Sequence, residues 1–237
     1  MKLHQEIIDK EYVKVLLDKE ILEYFYLESV QISNFIKKYR IPYYFDIGCW
    51  YGILLNYVLK QNSSVQAIAV DAVKKFIDIS QFNCYDLNRS HFYNFAIVPE
   101  NIKDDTPFIL NTIDTSKSGF DTIGVPIRDT KAIRFKEFID FPNMKYMLNN
   151  SYLKLDLEGI DFDILKDIFN SNIKPKVIHF EVLKRTRNSL DEILQIIQSQ
   201  GYSTQGISNP NHAFHSIICS EFESFVIGFK PFKLYTL

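Results

Sequence analysis

The chain is poor in the residues that mark several function classes. Only 3 of its 237 residues are cysteine; Cys49, Cys84 and Cys219 are odd in number, scattered, and fall in no C-x-x-C or Cys/His ligand spacing. That argues against a zinc site and fits a reducing compartment. No apolar run reaches about 18 residues, and the N-terminal MKLHQEIIDKEYVKVLLDKE is too charged for the apolar core of a signal peptide. A cytoplasmic setting without a membrane span is expected. Block charge is also missing: the net charge is -2, so there is no electrostatic footprint for nucleic acid or an anionic membrane. The 8 glycines form neither G-x-G-x-x-G nor G-x-x-x-x-G-K-[ST], which removes the usual cradles for a dinucleotide or a triphosphate.

What is present describes a folded chain. Hydrophobic residues make up 46%, enough for one substantial core at this length. We expect an N-terminal helical extension over residues 1–40 and one domain over residues 41–237. In residues 6–39, Ile7, Val13, Leu17, Ile21, Phe25, Ile32, Phe35 and Ile36 recur at three- and four-residue steps, predicting one or two amphipathic helices that end at Ile41-Pro42. Such an apolar face suits pairing of two subunits or covering of one active site.

Then the pattern changes to YYFDIG (strand), ILLNYVLKQN (helix), VQAIAVDA (strand), KKFIDISQFNCYDL (helix) and HFYNFAIV (strand). β-α-β-α-β with short connections predicts an α/β fold whose mostly parallel central sheet carries helices on both faces. Residues 99–150 interrupt it with polar loop composition and strand-like pieces, PFILN and AIRFKEF. The rhythm resumes with YLKLDLEG, DFDILKDIFNSN, KVIHFEVL and SLDEILQIIQSQ, and YSTQGIS and SFVIGFK read as an antiparallel pair at one edge.

Two strand ends carry chemistry. In YLKLDLEG, period-2 alternation puts Leu153, Leu155 and Leu157 on one face and Lys154, Asp156 and Glu158 on the other. A parallel strand is normally apolar on both faces, so this charged face implies either a structural ion pair or a site at the strand's carboxyl end. In FDIGCWYG, Asp46, Gly48 and Gly52 lie where a strand turns into a helix, and glycines there admit a ligand close to backbone amides. Asp71 ends the next strand, where a carboxylate takes the two hydroxyls of a ribose. Together these point to an adenosine compound. An acidic first strand end suits a cationic group, so S-adenosylmethionine, with an ammonium and a sulfonium and no phosphate, fits better than NAD or ATP.

FDIGCWYG, AIAVDA, CYDLNRSHFYNFAIV, YLKLDLEGIDFDIL and KPKVIHFEV, in this order, resemble the FkbM family of class I S-adenosylmethionine-dependent methyltransferases over roughly residues 43–203. Lys-x-Asp-x-Glu-Gly is the most specific part. The resemblance implies a Rossmann-like methyltransferase fold and O-methylation of small molecules, sugars or glycans. It departs at Cys49-Trp50, where the family usually has Ala-Asn at the methionine end of the cofactor. Asp46, Gly48, Cys49, Trp50, Gly52 and Asp71 are the expected cofactor residues.

Methylation of a hydroxyl needs a base and exact placement of the oxygen. Asp156 and Glu158 are the expected catalytic carboxylates, with Lys154 deeper and Glu181 of IHFEVL at the end of the next parallel strand. Clustered carboxylates can equally hold Mg²⁺, which the sequence permits without demanding. His91 and His179 read as core histidines inside strands. His212 and His215 fall in a loop that either reaches the crevice or stays at the surface, and TSKSGF (residues 115–120) is either a loop over the cofactor or an ordinary surface loop. Lys184, Arg185 and Arg187 either meet an anionic acceptor or are simply solvated. Two rival functions remain at this stage: an inactive methyltransferase-fold interaction module, supported by Cys49-Trp50, and a nucleic-acid methyltransferase, opposed by the missing basic stripe.

Overall fold

Asp18 opens the first helix, α1 (Lys19–Tyr39): its carboxylate accepts from the amides of Glu20 and Ile21 at 3.0 and 3.1 Å, satisfying donors that the first helical turn leaves free. Arg40, at φ 52°, turns the chain out of the helix before Ile41-Pro42. The predicted helical region is thus one helix from residue 19 onward; residues 6–17 lie outside the described residues. The computed structural model describes residues 18–85, 87–102, 108–110, 125–127, 130–182, 190–208 and 215–221.

After α1 come β1 (Tyr43–Ile47), α2 (Ile53–Gln61), β2 (Gln66–Asp71), α3 (Lys74–Asn83), β3 (Ser90–Asn94), β4 (Ala96–Val98), β5 (Phe108–Leu110), β6 (Val125–Ile127), β7 (Ala132–Arg134), α4 (Phe135–Ile139), α5 (Met144–Asn149), β8 (Ser151–Leu155), α6 (Asp161–Asn170), β9 (Val177–Val182), α7 (Leu190–Ser199), β10 (Ser203–Ser208) and β11 (His215–Ser220). Seven strands form one sheet in the order β3-β2-β1-β8-β9-β11-β10. All neighbours run parallel except β11, which is antiparallel to both β9 and β10. The chain therefore builds outward from β1 to β3, returns, and builds the other way from β8. This opens a crevice beyond the carboxyl ends of β1 and β8.

The two faces of the sheet are both covered, as the apolar runs in its strands require. On one, Ile32, Phe35 and Ile36 of α1 and Leu55, Val58 and Leu59 of α2 pack with Tyr44, Ala67, Ala69 and Tyr152. On the other, Phe135, Phe138, Leu148, Ile164, Leu165, Ile168, Ile193 and Ile197 pack against Phe45, Ile47, Leu153, Leu155 and Phe180. Among the described residues no helix is long and apolar enough to cross a membrane.

Three predicted elements differ. HFYNFAIV is two strands: after Asn94, whose amide donates to the carbonyls of Asp71 and Ala72 at 3.1 Å, the chain bends, and β4 leaves the main sheet to pair with β7. AIRFKEF is a strand only to Arg134; Phe135, Phe138 and Ile139 then bury a helical face, and Glu137 accepts from the Arg134 amide at 3.0 Å to start that turn. The partner of β10 is β11, and SFVIGFK (residues 224–230) lies outside the described residues.

Candidate active site

The glycine turn between β1 and α2 is held in a shape that few residues tolerate. Gly48 and Gly52 have φ 85° and 67°, and Trp50 between them has φ 47°. The Gly48 and Cys49 amides donate to the Val70 carbonyl at 2.9 and 3.2 Å. A Cβ on Gly48 would lie 1.9 Å from the Asp156 carbonyl oxygen, so the turn and the end of β8 touch backbone to backbone. A Cβ on Gly52 would meet the Ser80 side chain, and Ser80 Oγ donates to the Trp50 carbonyl at 2.8 Å. The Trp50 ring packs on Tyr51 and reaches Phe25 of α1, with centroids 4.4 and 6.1 Å apart.

Asp71 ties this turn to β2. Its Oδ2 accepts from the Trp50 amide and its Oδ1 from the Val73 amide, both at 2.9 Å. Each oxygen keeps a second lone pair, so the carboxylate can brace the turn and still accept from a vicinal diol. Burial pushes its carboxyl up to about 7, with the two amides opposing. This pair of acceptor oxygens fits the ribose diol of S-adenosylmethionine, with Gly48, Cys49, Trp50 and Gly52 forming the adjoining turn.

A row of polar residues crosses the sheet beneath the crevice. Asp46, Lys154 and His179 are partners in register on β1, β8 and β9, so they share the face covered by α1. They are 1%, 8% and 2% exposed. Lys154 Nζ lies 3.0 Å from Asp156 Oδ2 and 3.8 Å from Asp46 Oδ1. Burial works against the ammonium, but Asp156, Asp46 and Glu28 outweigh it and hold its pKa well above the usual lysine value. Burial likewise raises Asp46 to about 6 against the pull of Lys154. His179 is pushed down to about 3 by burial and then by Lys154, so the ring is neutral; Tyr152 Oη lies 3.2 Å from its Nδ1.

Above this row stand three carboxylates. One oxygen each from Asp156, Glu158 and Glu181 lies within 4.8 Å of the others. The expected alternation along YLKLDLEG holds only to Leu155. Asp156 still donates its amide to Ile47 O at 2.9 Å, but Glu158 and Gly159 adopt φ 53° and 107°. The chain is thus a tight turn there, tied by Asp161, whose carboxylate accepts from the amides of Leu157 and Gly159 at 3.2 Å each. Burial, with Asp156 and Glu158 adding, raises Glu181 to about 10, so it carries a proton at neutral pH. The three offer oxygen ligands of the kind a hard divalent cation takes, provided that Glu181 gives up this proton.

The structure brings together Asp46, Gly48, Lys154, Asp156, Glu158 and Glu181, with Cys49, Trp50, Gly52 and Asp71 lining the adjoining turn. His179 is the buried core histidine expected. His91 is exposed on β3, where the strand's outer face meets solvent, so the core expectation for it fails. His215 opens β11 instead of lying in a loop. His212, Lys184, Arg185, Arg187 and residues 115–120 lie outside the described residues. Sequence reasoning missed Glu28, Asp161 and Tyr152. Glu28 had a signal: it stands in the apolar stripe Ile21, Phe25, Ile32, Phe35, where a carboxylate needs a partner.

Solved structures similar to this chain include a precorrin-6y C5,15-methyltransferase from Geobacter metallireducens GS-15 (11% identity, 86% of this chain and 89% of that one, TM-score 0.44). Others are a SAM-dependent methyltransferase from Aquifex aeolicus (13%, 91% and 100%, TM-score 0.47) and an O-methyltransferase family protein from Burkholderia thailandensis (9%, 90% and 62%, TM-score 0.43). These likenesses are loose, and the fold rests on the strand order above. No curated protein matches. The model of the Methyltransferase FkbM domain matches residues 51–204, from the glycine turn through β8 and β9 into β10, well over half of the chain. Strand order and matched domain agree, and the chain belongs to the FkbM family of S-adenosylmethionine-dependent methyltransferases.

Proposed function

We propose that the protein methylates a hydroxyl of a sugar, glycan or related small-molecule acceptor. The observation that carries this is the convergence of Asp156, Glu158 and Glu181 at the carboxyl ends of β8 and β9, beside the glycine turn. S-adenosylmethionine, when bound, supplies a methyl group on a positively charged sulfur. Asp71 accepts hydrogen bonds from its ribose, and the turn from Gly48 to Gly52 brings the backbone against it. Glu158 is best placed to receive the proton that the acceptor hydroxyl releases as its oxygen bonds to carbon. Glu181, protonated, donates a hydrogen bond to a neighbouring acceptor oxygen, which a polyol supplies and a hydrocarbon does not. Lys154 fixes the orientation of Asp156 through their 3.0 Å contact. A rim of carboxylates disfavours a phosphate next to the reacting oxygen, and the net charge of -2 disfavours a polyanionic acceptor as a whole. Cys49, Cys84 and Cys219 are free and buried, in keeping with a cytoplasmic setting.

The test is calorimetric titration with S-adenosylmethionine of the wild type and of Asp71→Ala, followed by mass spectrometry of polyol and sugar acceptors for the gain of one methyl group. Binding that collapses in Asp71→Ala, with methylation lost in Glu158→Gln, is expected. A wild type that binds no cofactor at millimolar concentration overturns the reading.

A further inference from the structure

Helix α3 meets the glycine turn with polar residues. Phe76, Ser80 and Asn83 follow each other at four- and three-residue steps, so they share one face of the helix. Phe76 packs edge-on against Tyr51, with ring centroids 5.0 Å apart. Ser80, 0% exposed, donates from Oγ to the Trp50 carbonyl at 2.8 Å, and Asn83 Nδ2 donates to the Tyr51 carbonyl at 2.7 Å. Cys49 Sγ lies 3.7 Å from the same Ser80 oxygen. Asn83 is held in turn: Asn56 of α2 donates from Nδ2 to its carbonyl, one of those that the end of α3 leaves without a helical partner. An alanine at position 80 would pack nearly as well, so the buried hydroxyl is there for its hydrogen bond.

These contacts act on Trp50. At φ 47° it is a bulky residue in the left-handed region, which Gly, Asn and Asp enter readily and a side chain of this size does not. Such a conformation persists only where its surroundings impose it. The peptide before Trp50 is fixed by its amide, which donates to Asp71 Oδ2 at 2.9 Å, and the peptide after it by Ser80. Asn83 fixes the next one. Three successive peptides are thereby locked in orientation. Asp71 also accepts from the Val73 amide at the start of α3. The same helix therefore carries the carboxylate at its beginning and the two turn donors in its second half, and it sets the spacing between them. We infer that Ser80 and Asn83 are positioning residues for S-adenosylmethionine: from α3 they hold the Trp50 and Tyr51 carbonyls and keep the glycine turn in the shape that binds the cofactor beside Asp71. The inference rests on reading Asp71 and the glycine turn as the cofactor site. Both residues act through the backbone of the turn.

The test uses the full chain, in which Trp50 is the single tryptophan, so its fluorescence reports the turn alone. Time-resolved anisotropy of Trp50 and calorimetric titration with S-adenosylmethionine are measured on the wild type, Ser80→Ala and Asn83→Ala. Ile77→Val trims the same helix at a buried apolar position and serves as the structural control. Ser80→Ala and Asn83→Ala should each bind the cofactor roughly 3–10-fold more weakly, the worth of one hydrogen bond. Without cofactor, both should show a larger fast-depolarising component than the wild type, and saturating cofactor should reduce it. Ile77→Val should match the wild type in both readouts. Asn83 ends its helix and is partly buried, so Asn83→Ala keeps the test open if Ser80→Ala does not fold. A cofactor-binding wild type whose folded variants bind within about twofold of it, or show no added ring motion, overturns the inference alone. An equal loss in Ile77→Val overturns it too, because the effect is then general to the helix. A wild type that binds no cofactor instead overturns the reading of the site on which the inference rests.

Discussion

Replacing Lys154 with methionine keeps the length of the side chain and removes its ammonium from a buried group of acids. The ammonium is 3.8 Å from Asp46 Oδ1, with side chains 10% and 2% exposed. At an effective dielectric of about 20, a pair at that distance is worth about 4 kcal/mol, and breaking a buried pair by removing one partner typically costs about 3–5 kcal/mol. Asp156, 38% exposed, can turn to solvent and adds little. The cost depends on pH with a definite sign. Asp46 and Glu28 have folded pKa values raised from 3.8 to about 6 and from 4.5 to about 7. Their contribution to stability is fully present below the unfolded values and is lost as pH rises through the folded ones. Without Lys154 both midpoints rise further, because the cation was lowering them. Lys154→Met should therefore be close to wild type at about pH 5, where both acids are protonated, and about 3–5 kcal/mol less stable at about pH 8. Urea unfolding at the two pH values and equal ionic strength measures this. Asp46→Asn added to Lys154→Met should restore a large part of the loss at the higher pH. A deficit below about 1 kcal/mol at the higher pH, or one that is equal at both, would refute a shared-cation cluster.

Gly48→Ala forces a side chain into a left-handed backbone and against the Asp156 carbonyl, so thermal unfolding should show a loss of about 3 kcal/mol or more. Asp71→Asn should weaken S-adenosylmethionine by at least about tenfold in calorimetry, the worth of one charge-assisted hydrogen bond. Because the Asp71 carboxyl titrates at about 7 and the diol needs its anion, wild-type affinity should rise as pH passes upward through that value, while the Asn variant stays flat. Glu158→Gly relieves the positive φ and should stabilise the fold by up to about 1 kcal/mol while abolishing methyl transfer; retained transfer would remove Glu158 from the chemistry.

The parallel sheet was legible because its signal is local: YYFDI, QAIAVD and VIHFEV are short apolar runs set between helical periods, and each forms its strand. The site was legible in part for the same reason, since residues at strand ends fall on one edge of such a sheet. What did not read was tertiary. The alternation of Lys154, Asp156 and Glu158 predicted a longer strand, but a turn braced by Asp161 from the next helix ends it at Leu155. Ala132 to Ile139 looks extended until Phe135, Phe138 and Ile139 find a core to face. Glu28 broke the apolar stripe of α1, but nothing local says that His179, 3.7 Å from its carboxylate, stands more than 100 residues away on β9.

The alignment of Asp46, Lys154 and His179 across three strands also bears on how the sheet chooses its pairing. Side chains alternate faces along a strand, so a one-residue slip of β8 would push the Lys154 ammonium into the layer of Phe45, Leu153, Leu155 and Phe180 and leave Asp46 facing leucine. Apolar runs such as YYFDI, SYLKL and VIHFEV match each other almost as well in a shifted alignment as in the right one. The charges do not. The same three residues that cross the sheet beneath the crevice thus act as a proofreading mark during assembly, penalising any misaligned central strand before the crevice exists.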